Sequence, residues 1–177
     1  MTSDFPEIKK HLFLTGERGV GKSTLLRRLI DAKNLDYSGF ETRHIELDGV
    51  RRAHALHGFA DMPPFENDCI CCVRIAEKKS VPVLDVFEAN GVSILQKCLA
   101  SPAPFILMDE LGRLERQAED FIHQIEACLN SDKRVLGVAQ KCSAGHIQQI
   151  MARNDVTLIT VTEENRDALL VQLIAGF

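Results

Sequence analysis

No apolar run in this sequence approaches the roughly 20 residues that a membrane-spanning helix takes. A basic surplus is missing too. Lys and Arg number 21 against 25 Asp and Glu, for a formal net charge of -4. That balance argues against a general nucleic-acid binder and leaves room only for a local basic patch. The first residues, MTSDFPEIKK, lack the basic-then-apolar order of a secretory signal, so a cytoplasmic location is the expectation. Internal repeats and low-complexity tracts are absent. The 177 residues suit one domain, 1–177, with a sizeable core. Without a secretory signal, the six cysteines read as thiols or metal ligands rather than a disulfide framework.

What is present begins with LTGERGVGKST, residues 14–24, which fits G-x-x-x-x-G-K-[ST] at Gly16, Gly21, Lys22 and Ser23. The apolar run HLFLT leads into it as a buried strand. KSTLLRRLIDAK follows with Leu25, Leu26, Leu29 and Ile30 at helical spacing. In that context glycines let successive backbone N–H groups point at phosphate oxygens, and the helix N-terminus adds positive potential. The loop predicts phosphate contacts from Gly16, Glu17, Arg18, Gly19, Val20, Gly21, Lys22, Ser23 and Thr24. Lys22 is expected at the β and γ phosphates and the Ser23 hydroxyl on Mg²⁺.

A second buried strand, PFILMDE, ends in Asp109 and Glu110. A phosphate-loop protein needs a carboxylate at such a strand end for Mg²⁺, and Asp109 stands there. Glu110 beside it suits the positioning and deprotonation of a water, or else structural pairing or helix capping. Arg113 either neutralises phosphate charge or pairs with Glu110 or Glu115. No Asn-Lys pair exists anywhere, so the Asn-Lys-x-Asp device for reading guanine is excluded. Thr162, Glu164, Asn165 and Arg166 follow a late strand, on the side where open α/β sheets bind ligands. Asn165 is a candidate for base or ribose contact, or part of a helix start.

The remaining pattern alternates apolar strands (residues 134–139 and 156–161) with helical stretches at 84–100, 114–130, 145–153 and 163–176. This predicts an α/β fold: a mostly parallel sheet covered by helices on both faces. Residues 39–59 read as a hairpin about Asp48-Gly49, an antiparallel addition at one edge. Residues 60–82 are irregular and Pro-bounded, so a loop is expected there, with a short strand within it as the alternative.

FLTGERGVGKSTL, GFET, ILMDELGRLE and DVTLITVTEENRDALL, in that order, resemble the small P-loop nucleoside-triphosphatases named from thermophiles, a family that includes the human cancer-related nucleoside-triphosphatase. The resemblance implies Mg²⁺-dependent hydrolysis of ATP, GTP and other nucleoside triphosphates to diphosphate and phosphate. It places phosphate contacts on Gly16 through Thr24, metal chemistry on Ser23 and Asp109, a catalytic part on Glu110 and supporting parts on Arg113 and Glu115. Arg43 and His44 stand where the family pattern has acids. NDCICCVR resembles instead the Cys-x-Cys-Cys stretch of metallochaperone GTPases, whose base-reading device and C-terminal domain this chain lacks.

Cys69, Cys71 and Cys72 have a density that suits Zn²⁺, Cu(I) or an iron–sulfur cluster, with His54, His57 or Asp68 as candidate further ligands. The competing reading is a partly buried strand, since free Cys behaves as a small hydrophobe. Cys98 and Cys128 fall on inward helical faces. Cys142 follows a strand near the expected nucleotide. His11 and His123 read as structural or solvated. Two further functions stay open: a nucleotide or small-metabolite kinase whose acceptor pocket is lined by Arg43, Arg51 and Arg52, and a metal-responsive nucleotide-dependent switch.

Overall fold

HLFLTG forms β1 (His11–Gly16), whose Leu12, Phe13 and Leu14 are buried on opposite faces of the sheet. Such a strand has no solvent side and belongs in the middle of a layered α/β structure. The computed structural model describes residues 5–59, 68–77, 79–141 and 145–177. Cys142 lies outside the described residues.

The strands are β1, β2 (Tyr37–Leu47), β3 (Val50–Gly58), β4 (Asp68–Ala76), β5 (Lys79–Pro82), β6 (Phe105–Leu111), β7 (Arg134–Ala139) and β8 (Val156–Val161). They make one eight-stranded sheet in the order β5-β4-β3-β2-β6-β7-β1-β8. The run β2-β6-β7-β1-β8 is parallel, and β2-β3-β4-β5 is antiparallel. The fold class matches the sequence pattern. The extension is larger than a hairpin, and the loop expected over 60–82 is overturned in its described part by β4 and β5. Their mixed polarity follows from position: Cys71 and Cys72 are buried, while Ile70, Val73, Ile75 and Val81 are exposed.

One apolar core packs Leu12 and Leu14 under α1 (Lys22–Lys33) and α6 (Arg166–Gly176), with Leu26, Leu29 and Leu173 inside. The other packs Phe13, Phe40 and Ile106 under a helix that runs from α2 (Leu84–Val86) through a π-helical turn (Phe87–Gly91) into α3 (Val92–Ala100). This second core also takes α4 (Glu119–Asn130) and α5 (His146–Met151). Gly91 has a packing reason: a Cβ there would stand 2.7 Å from the Phe121 ring. The helix expected over 114–130 starts at Glu119 instead, because the preceding residues fold around Glu115. His11 is structural, as one reading had it. Its Nδ1 accepts the Val135 N–H, its Nε2 lies 3.0 Å from the Leu129 carbonyl, and burial lowers its pKa.

Candidate active site

The C-terminal ends of the parallel strands gather the chemistry. β1 ends at Gly16, whose φ of +143° is open to glycine and where a Cβ would strike the Val161 carbonyl of β8. The loop then runs to Gly21, the left-handed N-cap of α1. Lys22 is buried at the first position of that helix. Its ammonium donates to the Gly16 carbonyl at 3.1 Å and the Glu17 carbonyl at 2.9 Å. The loop thus folds around its own lysine, with Glu17, Arg18, Gly19 and Thr24 exposed and Val20 anchored in the core.

Asp109 and the Ser23 hydroxyl meet: Ser23 Oγ donates to Asp109 Oδ1 at 2.8 Å. Asp109 is 7% exposed, and no cation pairs with it among the described residues. Burial pushes its carboxyl above the usual range and the Glu110 charge adds to the rise, while the Ser23 hydrogen bond opposes it. Glu41 of β2 stands beside it in register, buried and gripped by Arg27 and by Arg43, whose Nε donates to Oε1 at 2.6 Å. Ser23 and Arg27 are one turn apart on α1, so a single helix face holds both carboxylates. GFET contains Glu41, but nothing in the sequence says that β2 will lie against β6 with these two residues paired.

β7 lies between β1 and β6 and delivers a residue that sequence reasoning missed. Gln140, just past its end, donates from Nε2 to Glu110 Oε1 at 2.6 Å and accepts the Arg113 N–H at 3.3 Å. Its own N–H donates to the Leu111 carbonyl at 2.8 Å. A glutamine after a buried strand matches no motif, and only the insertion of β7 beside β6 makes it a neighbour of Glu110. Glu115 is 2% exposed, accepts the Gly112 N–H at 2.5 Å and lies 3.3 Å from His146 Nε2. It braces the turn after the carboxylates. Arg113 is exposed and pairs with neither Glu110 nor Glu115 among the described residues.

The sequence matches the model of the NTPase family over residues 11–174. The chain belongs to the NTPase family. The nucleoside-triphosphatase THEP1 of Thermotoga sp. (strain RQ2) is 29% identical over 167 residues, spanning 93% of this chain and 93% of that protein. The human cancer-related nucleoside-triphosphatase is 26% identical over 187 residues, spanning 93% and 95%. The crystal structure of THEP1 from the hyperthermophile Aquifex aeolicus shares the fold. Its TM-score is 0.73 at 20% identity, over 93% of this chain and 97% of that one.

Other expected positions in this NTPase-family chain fall differently. Asn165 is occupied in the turn that starts α6: Oδ1 accepts the Thr162 N–H at 2.8 Å, and Nδ2 donates to the Thr160 carbonyl at 2.9 Å. Arg166, next to it, is the residue of that segment that reaches the loop. Its Cδ and Nη1 stand 4.0 Å from where a Cβ on Gly21 would be.

The thiols do not converge. No group of three or more His, Cys, Asp or Glu among the described residues has the arrangement to hold a metal, so the Zn²⁺ expectation is corrected. A bulge in the β3–β4 ladder sets Cys71 apart from the regular pairing of Cys69 with Leu56 and Cys72 with His54. Cys71 and Cys72 are core, burial pushes the Cys71 thiol up to about 12, and Cys71 Sγ lies 3.5 Å from the His54 carbonyl. Of the candidate further ligands, His57 Nδ1 is 2.9 Å from Asp68 Oδ1 instead. Cys98 and Cys128 are also core, and His123 is exposed. Serine at both Cys71 and Cys72 is therefore expected to destabilise the protein by about 1–3 kcal/mol per buried hydroxyl left unsatisfied. Turnover should stay close to that of the parent, because Lys22, Ser23, Asp109 and Glu110 make their hydrogen bonds elsewhere. Urea unfolding and phosphate release, measured on the same sample, check both halves.

Proposed function

We propose that this protein hydrolyses nucleoside triphosphates, ATP and GTP among them, to diphosphate and phosphate with the help of Mg²⁺. The observation that carries the reading is the Ser23–Asp109 contact at 2.8 Å beside Lys22, with Glu110 fixed by Gln140 at 2.6 Å. The names of the relatives, nucleoside-triphosphatases, agree with it.

Ser23 and Asp109 would hold the Mg²⁺. Both offer hard oxygen donors, and the buried Asp109 carboxylate has no ion-pair partner among the described residues to relieve its desolvation. Bound there, the ion would neutralise charge on the phosphate oxygens. Lys22 exchanges its contacts with the loop carbonyls for the β and γ phosphates. Backbone N–H groups of the loop orient the chain of phosphates. Glu110 accepts the proton of the attacking water, and Gln140 keeps its carboxylate turned toward the γ-phosphorus. Arg113, exposed and unpaired with the neighbouring acids, is free to swing toward the transferred group. The site works in whatever compartment holds the protein; a cytoplasmic setting is the proposal. Among the described residues, no helix is long and apolar enough to cross a membrane.

The test is a panel of nucleoside triphosphates with and without Mg²⁺, with no other acceptor than water and with both products quantified. Diphosphate and phosphate in equal amounts support hydrolysis. Transfer only to an added acceptor overturns it in favour of a kinase. ATP and GTP rates are expected to agree within about tenfold, because shape and stacking alone discriminate by ~1–3 kcal/mol. In the same assay Asp109→Asn should raise the Mg²⁺ concentration needed for half-maximal rate, which a Mg²⁺ titration measures.

A further inference from the structure

Arg18, exposed in the phosphate loop, also forms one wall of a cavity of about 40 Å³. The other walls are Arg51, Ala53 and His54 of β3, Cys72 and Arg74 of β4, and Ser80 of β5. Three guanidinium groups therefore meet around one small space. No carboxylate lines it, and none of the three arginines has an ion-pair partner among the described residues. Two buried nitrogens of these residues, Arg51 Nε and His54 Nδ1, also lack a hydrogen-bond partner among the described residues. Buried polar atoms are normally satisfied, and buried charge is normally paired, because leaving either alone costs stability. Here both deficits fall on residues that line the same space.

The charge chemistry of the wall selects an oxyanion, since planar guanidinium groups match phosphate and carboxylate oxygens in paired hydrogen bonds. Volume narrows the choice. At roughly 10–15 Å³ for one water-sized sphere, the cavity has room for a single tetrahedral group and excludes a nucleoside. Burial and the charges of His44, Arg18 and Arg74 bring the His54 pKa down to about 4, so the imidazole is neutral near pH 7 and adds a hydrogen bond rather than a fourth charge. Its neighbour His44, at 4.7 Å between ring centroids, feels the charges of both Arg18 and Glu110. The cavity thus adjoins the phosphate loop, shares Arg18 with it and takes its other walls from β3, β4 and β5.

We propose that this cavity is a second anion site that binds one phosphate group, apart from the phosphates held by the loop. The group has two possible sources: inorganic phosphate, or the phosphate of a second small molecule whose remainder projects outward past Arg18. Binding at this cavity does not rest on hydrolysis at the loop, and its test is read on binding alone.

The experiment titrates inorganic phosphate into the protein saturated with Mg²⁺ and a non-hydrolysable nucleoside triphosphate, and follows the backbone amides of Ala53 and Ser80 by NMR. Saturable shifts at both amides are expected, with Arg51→Ala and Arg74→Ala each weakening phosphate at least tenfold and leaving nucleotide affinity unchanged. If Arg51→Ala does not fold, Arg74→Ala and the parent titration give the same reading. A parallel titration with glycerol 3-phosphate separates the sources: tighter binding than inorganic phosphate supports a phosphorylated small molecule, and equal or weaker binding supports free phosphate. The proposal is overturned if neither compound shifts these amides. It is overturned equally if filling the loop abolishes the effect, which would make the cavity part of the γ-phosphate site, or if the folded variants bind phosphate as the parent does.

Discussion

Lys22→Ala is expected to lower turnover by at least roughly 10²–10³-fold, the usual cost of removing one preorganised charge-stabilising donor, and to weaken nucleotide binding as well. Two features of the lysine give this expectation. It starts α1, where its position is set by the helix rather than by a mobile segment, and it is 8% exposed with its ammonium already turned back into the loop. In that place it donates to the Gly16 and Glu17 carbonyls. Those are weak partners for a full charge compared with phosphate oxygens, so the exchange favours the nucleotide. The same contacts mean that alanine also loosens the loop. Circular dichroism and a thermal melt on the variant must accompany the rate, and a folded variant with unchanged turnover would remove the loop from the active site.

Glu110→Gln is expected to keep nucleotide and Mg²⁺ binding and lose about 10²–10⁴-fold in kcat, the range for a general base. The amide has the shape of the carboxylate, and its oxygen still accepts from Gln140 Nε2, so the 2.6 Å contact survives the change. Only the basic lone pair is lost. Single-turnover rates at saturating nucleotide separate chemistry from binding. A loss smaller than about tenfold, on the same scale, would leave Glu110 as a structural partner of Gln140. Gln140→Ala gives the complementary reading: it should reduce kcat more than it raises KM, because it aims the carboxylate and holds no substrate.

The parallel core and the loop were legible because their signals are local. A buried apolar run before a Gly-rich turn needs no partner to be recognised, and Asp109 is marked by the end of such a run. Glu41, Gln140 and the basic cavity were not legible, since each depends on which strands become neighbours. Glu41 acquires its place from the β2–β6 register, and Gln140 from the insertion of β7 between β1 and β6. β4 and β5 were hidden for a related reason. A bulge beside Cys71 breaks the alternation of β4, and β5 is only four residues long and ends in Pro82. The thiols of CICC suited either a ligand set or a partly buried strand, and only the β3–β4 ladder decides for the strand, with Cys71 and Cys72 in the core. The start of α4 was misplaced because Glu115, a good helix former, is spent on Gly112 and His146.

β2 is eleven residues long and belongs to both halves of the sheet. Its first half is pinned to β6, where Glu41 pairs with Asp109, and its second half is pinned to β3, where His44 pairs with His54. At about 3.3 Å per residue the two positions are held some 10 Å apart along one extended backbone. The strand is therefore a ruler between the nucleotide end of the molecule and the arginine-lined cavity. Inserting or deleting a single residue between Glu41 and His44 would turn one of them to the opposite face, so the two ends can be exchanged between sequences only as a matched pair.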